Sequence, residues 1–86
     1  MNEKELKATV LKALASVVPE LDEAHLAPEK NFREQLDIDS MDFLNYVIAL
    51  CAATKIEIPE ADYRKIASVD GTVAYLAQHQ KRSSAT

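Results

Sequence analysis

Apolar residues recur every three or four positions at the start of the chain. Leu6, Val10, Leu11, Leu14 and Val17 or Val18 share one stripe of a helical wheel, with charged residues between them. The spacing predicts a first helix from about Glu3 to Val18. Asn2 and Glu5 have the Asn-x-x-Glu spacing of a capping-box variant at its start. Pro19 ends it, because a proline pushes the preceding residue out of the helical region.

From residue 19 to residue 39 the period is lost. Pro19 and Pro28 punctuate the stretch, and Leu21, Leu26, Phe32, Leu36 and Ile38 are spread through it. A structureless loop of about 20 residues is unusual in a compact domain. The scattered apolar residues therefore predict an ordered loop pinned across a core. For residues 22–26 a short extra helix is an equal alternative.

The densest apolar segment follows, Met41-Asp42-Phe43-Leu44-Asn45-Tyr46-Val47-Ile48-Ala49-Leu50. It predicts a second helix from Ser40 to about Ala53. Its apolar side chains cover about 220° of the wheel, whereas a surface helix needs a stripe of about 100°. Tyr46, Leu50, Phe43 and Val47 form one continuous side, assigned to the core. Met41, Leu44 and Ile48 form the other, assigned to an exposed partner patch; the alternative is that the long loop covers it.

Lys55-Ile56-Glu57-Ile58-Pro59 reads as an extended connection. Pro59, Glu60 and Asp62 then suit the first turn of a short third helix. Ser68 is a candidate N-cap for a fourth, with Val69, Val73, Leu76 and Ala77 on its apolar face and Gly71 weakening it slightly. The fold class is all-α: a small four-helix bundle of three longer helices and a short helix III, with a long ordered loop between helices I and II. Residues 1–80 form the domain, and residues 81–86, polar and small, form a disordered tail.

Composition adds limits rather than new elements. Eighty-six residues, 48% of them hydrophobic, make one modest core, with stability on the order of 5 kcal/mol. The net charge of −4 is uneven: residues 20–63 carry eleven acids against three bases. So acidic a middle is a poor nucleic-acid binder and suits basic protein partners. Cys51 is the only cysteine, so no intramolecular disulfide forms, and no Cys/His cluster has metal-ligand spacing. There is no signal peptide and no apolar run that spans a membrane, which predicts a cytoplasmic monomer.

The candidate chemistry lies at Asp39-Ser40-Met41. A serine in the first turn of the second helix is exposed, and a phosphate on it would sit in the positive field of the helix N-terminus. Asp-Ser before a helix is also an ordinary N-cap. The wider context raises the first reading. Leu36-Asp37-Ile38-Asp39-Ser40-Met41-Asp42, Ile56-Glu57-Ile58-Pro59 and Val73-Ala74-Tyr75-Leu76, in this helix order, resemble the acyl carrier protein family over about Leu6 to His79.

The resemblance implies that Ser40 carries 4′-phosphopantetheine from coenzyme A. It implies a carrier rather than an enzyme, with no catalytic residues and no metal. It also implies as partners a phosphopantetheinyl transferase and acyl- or aminoacyl-loading and acyl-processing enzymes. Asp39, Met41, Asp42, Leu44, Asn45 and Ile48 are the candidate partner surface. Tyr63, Ile58 and Ile66 are candidates for the border of an acyl cleft between the second and third helices. The chain departs from the family's fatty-acid members, with Asn45, Cys51, Ala52 and Ala53 where glutamates are common, Thr54 in place of an aromatic, and no glycine before Asp-Ser, where Ile38 and Asp39 lead into Ser40. These departures imply a dedicated carrier for a polyketide, an amino acid or a tailored acyl chain. An aminoacyl or peptidyl carrier and an unmodified helical adaptor are the alternatives. An enzyme using Cys51 with His25 or His79 is disfavoured, because Cys51 reads as a small hydrophobe and both histidines as solvated.

Overall fold

The computed structural model describes residues 2–36 and 38–84, with side chains through His79. Three longer helices carry the fold: α1 (Glu3–Val17), α3 (Ser40–Thr54) and α4 (Val69–Ser84). A single turn, α2 (Phe32–Gln35), and two 3-10 segments, Glu23–His25 and Glu60–Ile66, lie between them. Among the described residues there is no strand, and the architecture is the small helical bundle that the sequence implies. The short third helix is the 3-10 segment Glu60–Ile66, entered from Pro59. Helix α4 keeps a helical backbone to Ser84, beyond the boundary that composition sets at residue 80. Residues 85 and 86 of the expected tail lie outside the described residues.

Each boundary has a local cause. At α1 the Asn2 side chain accepts from Glu5 N–H at 2.8 Å, satisfying one N–H that the first turn leaves unpaired. At the end of α3, Thr54 Oγ1 donates to Leu50 O (2.7 Å) and accepts from Ile56 N–H (3.3 Å). The next residue, Lys55, turns left-handed with φ 60°. At α4, Ser68 Oγ accepts from Gly71 N–H at 3.1 Å, as an N-cap should. Gly71 has a second role that its helix propensity hides. A Cβ there would stand 2.6 Å from Lys65 O and 3.0 Å from Ser68 Oγ, so the close approach of α4 to the preceding segment requires glycine.

The core collects Leu6, Val10 and Leu14 from α1, Tyr46, Val47 and Leu50 from α3, and Val69, Val73, Tyr75 and Leu76 from α4. Helix α1 packs against both α3 and α4, and the 3-10 segment Glu60–Ile66 packs against α4. Tyr46 and Thr72 tie α3 to α4 through their hydroxyls at 2.8 Å, fully buried. Burial pushes the Tyr46 phenol well above its usual range, so it stays neutral. On the far side, the Tyr75 hydroxyl donates to Asp62 Oδ2 (2.7 Å) and holds that carboxyl below its ordinary pKa. The bond fastens the short segment to α4.

The long loop is ordered. Phe32 is fully buried, meeting the Tyr46 ring edge-on at 5.3 Å. Its N–H donates to Ala67 O (2.7 Å), and Asp70 N–H donates to Pro28 O (2.9 Å). Gln35 closes the loop on itself: Oε1 accepts from Ala27 N–H (2.8 Å), while Nε2 donates to Ala27 O (2.7 Å) and Lys30 O (3.1 Å). Leu21, Leu26 and Leu36 are half-buried on the core, and Ile38 is buried in it. Both readings of residues 22–26 hold in part, since the apolar anchors pack and a 3-10 turn forms at Glu23–His25.

Candidate functional site

Ser40 is the first residue of α3, directly after the residue that caps it. That cap is Asp39. Its Oδ1 accepts from Asp42 N–H at 2.9 Å, and Asp42 Oδ2 accepts from Asp39 N–H at 3.4 Å. The two carboxylates thus form a reciprocal capping box. The Asp-x-x-Asp spacing carries this signal in the sequence. With the cap supplied by Asp39, the Ser40 hydroxyl is released from that duty.

Two other serines with described side chains, Ser16 and Ser68, are committed to backbone. Ser16 donates to Ala13 O, and Ser68 accepts from Gly71 N–H. Ser40 is exposed, and its hydrogen-bond partner is a side chain: Arg33 Nη2 donates to Ser40 Oγ at 3.4 Å. No sequence pattern marks Arg33. It lies seven residues upstream in an aperiodic stretch, and only the loop's path brings it to the helix start.

An open groove of about 800 Å³ begins at Ser40. Phe43 and Leu44 line it from α3, Tyr63, Arg64 and Glu60 from the 3-10 segment, and Asn31 and Arg33 from the loop. The Phe43 and Tyr63 rings meet nearly edge-on at 5.8 Å. Tyr63 therefore borders the groove as expected. Ile58 and Ile66 do not; both are buried in the core. Tyr63 is half-buried at the groove, whereas Ile66 is fully buried.

The candidate partner residues fall on one accessible region. Asp39, Met41, Leu44, Asn45 and Ile48 are exposed, and Asp42 is half-buried within the capping box. Ala52 and Ala53 are exposed further along α3, and Cys51 is half-buried against the core. The residues of the enzyme alternative are dispersed in role. His25 pairs with Asp22 at the surface, and His79 stacks on Tyr75 at 4.1 Å. Among the described residues no group of three or more His, Cys, Asp or Glu is arranged for a metal, and no helix is long and apolar enough to cross a membrane.

An exposed hydroxyl at a helix N-terminus, beside a guanidinium, fits a phosphate ester: the helix dipole and Arg33 both favour negative charge at that oxygen. Comparison with known proteins points the same way. Residues 8–76 match the family described as phosphopantetheine attachment site. The acyl carrier protein of Rubrobacter xylanophilus is 38% identical over 60 residues, covering 70% of this chain and 74% of the relative. That of Helicobacter hepaticus is 37% identical over 71 residues, covering 83% and 87%. Acyl carrier protein 2, mitochondrial, of Arabidopsis thaliana is 34% identical over 76 residues, covering 85% of this chain and 60% of the relative.

Proposed function

The chain belongs to the acyl carrier protein family, and from that premise we propose that Ser40 is its attachment residue. It is a carrier and not an enzyme, and its prosthetic group is 4′-phosphopantetheine. The observation that carries the choice of Ser40 is its hydroxyl, exposed at the first position of α3 and met by a side chain, while Ser16 and Ser68 bond to backbone. Coenzyme A supplies the group. Ser40 Oγ forms the new bond to phosphorus, adenosine 3′,5′-bisphosphate leaves, and the hydroxyl proton passes to a base of the transferase. When attached, the group supplies the thiol that holds acyl cargo as a thioester. The protein contributes a rigid helix start, an exposed oxygen and a docking surface. Tethering then raises the cargo's effective concentration at each enzyme that docks.

The docking surface in this proposal is Asp39, Met41, Asp42, Leu44, Asn45 and Ile48, which surrounds Ser40 and continues along the open face of α3. Its partners are the phosphopantetheinyl transferase and the acyl-processing enzymes. The member is a specialised one. Asn45, Ala52 and Ala53 are exposed and uncharged, so this face offers basic partners little beyond Asp39 and Asp42 and offers apolar partners Met41, Leu44 and Ile48. Intact mass after co-expression with a broad-specificity transferase tests the attachment. Wild type gains the phosphopantetheine mass, and Ser40→Ala folds and does not. Modification of Ser40→Ala, or refusal of wild type by every transferase tried, overturns the assignment.

A further inference from the structure

Arg33 is placed with more care than an exposed loop arginine needs. It follows Phe32, whose ring is fully buried and whose N–H is bonded to Ala67 O. Its own N–H donates to Asn31 Oδ1 at 2.8 Å. The backbone that launches the side chain is therefore fixed from both sides, and the guanidinium arrives 3.4 Å from Ser40 Oγ. Among the described residues the ion pairs are Asp22 with His25 and Asp62 with Lys65; Arg33 belongs to neither. The acids next to Ser40, Asp39 and Asp42, are turned into the helix cap. A cation without a carboxylate partner among the described residues thus faces the one oxygen proposed to become a phosphate ester.

We propose that Arg33 is a positioning residue for the prosthetic arm: its guanidinium binds a non-bridging oxygen of the phosphodiester and holds the arm's first segment at the mouth of the groove lined by Phe43, Leu44 and Tyr63. The proposal rests on Ser40 being the attachment residue. Its chemistry is direct. Esterification removes the Ser40 proton and puts phosphorus on Oγ, with two non-bridging oxygens that share one negative charge two bonds from Oγ, within the span of a planar group with five N–H donors. Charge-assisted contacts of this kind are shorter and stronger than the neutral one to the hydroxyl. Because the site is exposed, the contact biases the arm rather than locking it; removing the guanidinium should lower the clamped population by about 1.5- to 5-fold. Arg64 and Glu60 also line the groove, but it is Arg33 that reaches Ser40 Oγ.

The test uses loaded wild type, Arg33→Gln, Arg33→Lys and, as a charge control, Lys30→Gln, each checked by intact mass and by its denaturation midpoint. If wild type does not load at Ser40, the attachment reading has failed and this one with it. Given loading, the phosphorus resonance of wild type is expected to differ from that of Arg33→Gln at low salt. The two should converge near 1 M salt, where screening reaches about 3 Å. The Arg33 guanidinium nitrogen signals should move between unloaded and loaded wild type. Arg33→Lys should recover part of the shift, and Lys30→Gln should behave as wild type. Identical phosphorus resonances in wild type and Arg33→Gln overturn the proposal. So does an equal shift in Lys30→Gln, which would mark a general field. Slower loading of Arg33→Gln with an unchanged resonance also overturns it, because Arg33 would then serve the transferase instead.

Discussion

On one side of α3, Tyr46, Val47 and Leu50 keep at most 3% of their surface. On the other, Met41, Leu44 and Ile48 keep 65%, 38% and 57%. The two faces are built from similar residues, so hydrophobicity did not decide between them. What decided is the partner opposite. Helix α1 packs along the first face, and Phe32 and Thr72 close it from the loop and from α4. The loop takes its anchors to the core and to the start of α4, leaving the second face open. A small domain with one core cannot bury a helix all round. Apolar surface beyond what the core can take stays available for partners. The same helix therefore serves stability on one side and recognition on the other, and the largest test of that division is on the core side. Leu50→Ala is expected to cost about 2–5 kcal/mol, the range for emptying a fully buried leucine site, read by chemical denaturation.

A smaller effect on the same face tests whether its polar contact matters. Thr72 Oγ1 has one hydrogen and lies near two carbonyls, Ser68 O at 2.6 Å and Ile66 O at 3.0 Å. With that hydrogen taken, Tyr46 must donate to Thr72. Tyr46→Phe keeps the ring packing and removes this donor, leaving the Thr72 oxygen without a hydrogen bond to accept. The expected loss is about 1 kcal/mol, with Phe32 and its loop still ordered in amide exchange. A loss as large as that of Leu50→Ala would mean that the hydroxyl pair, rather than the packed rings, holds α3 to α4.

On the open face the expected losses shrink again. Leu44→Ala and Ile48→Ala should each cost less than about 1 kcal/mol, because little is removed from water in the folded state. Denaturant melts showing losses equal to that of Leu50→Ala would place these residues inside and erase the difference between the faces. The same variants should weaken docking of the loaded protein to its enzymes.

How much of this was legible depended on periodicity. The bounds of α1 and α3, the cap at Ser68 and the split of the α3 face follow from i, i+3, i+4 spacing and from caps. The buried Phe32 and Ile38 followed from a different argument: apolar residues in a loop this long need somewhere to go. The parts that escaped are held by contacts without a period. Gln35 bonds to residue 27 across eight positions, Arg33 meets Ser40 across seven, and α2 is a single turn. Thr72 is polar by type and buried because three oxygens surround its hydroxyl. Gly71 looked like a weak helix residue; a carbonyl 2.6 Å from its missing Cβ gives the reason for it. The site follows the same rule. Ser40 was visible in local sequence, and the guanidinium beside it was not.

The finest test leaves stability almost untouched and asks what the open face selects. Asn45 and Ala52 are exposed on α3, and on the wheel both fall within about 40° of Met41, next to the apolar patch. Substituting Asn45→Glu with Ala52→Glu should change stability by no more than about 0.5 kcal/mol, as for most exposed positions. Each new charge pair with a basic enzyme surface is worth about 0.2–1 kcal/mol, and two of them add steering that salt removes. Loaded wild type is therefore expected to be a poor substrate for a general fatty-acid condensing enzyme. The double variant should be a better one, with its gain falling as ionic strength rises. The apolar residues Met41, Leu44 and Ile48 are unchanged in the variant, so an improvement would assign the original deficit to missing charge rather than to shape. If loaded wild type already supports elongation as well as a housekeeping carrier does, the uncharged face is not a discriminator. The open side of α3 would then be a general docking surface with no pathway preference written into it.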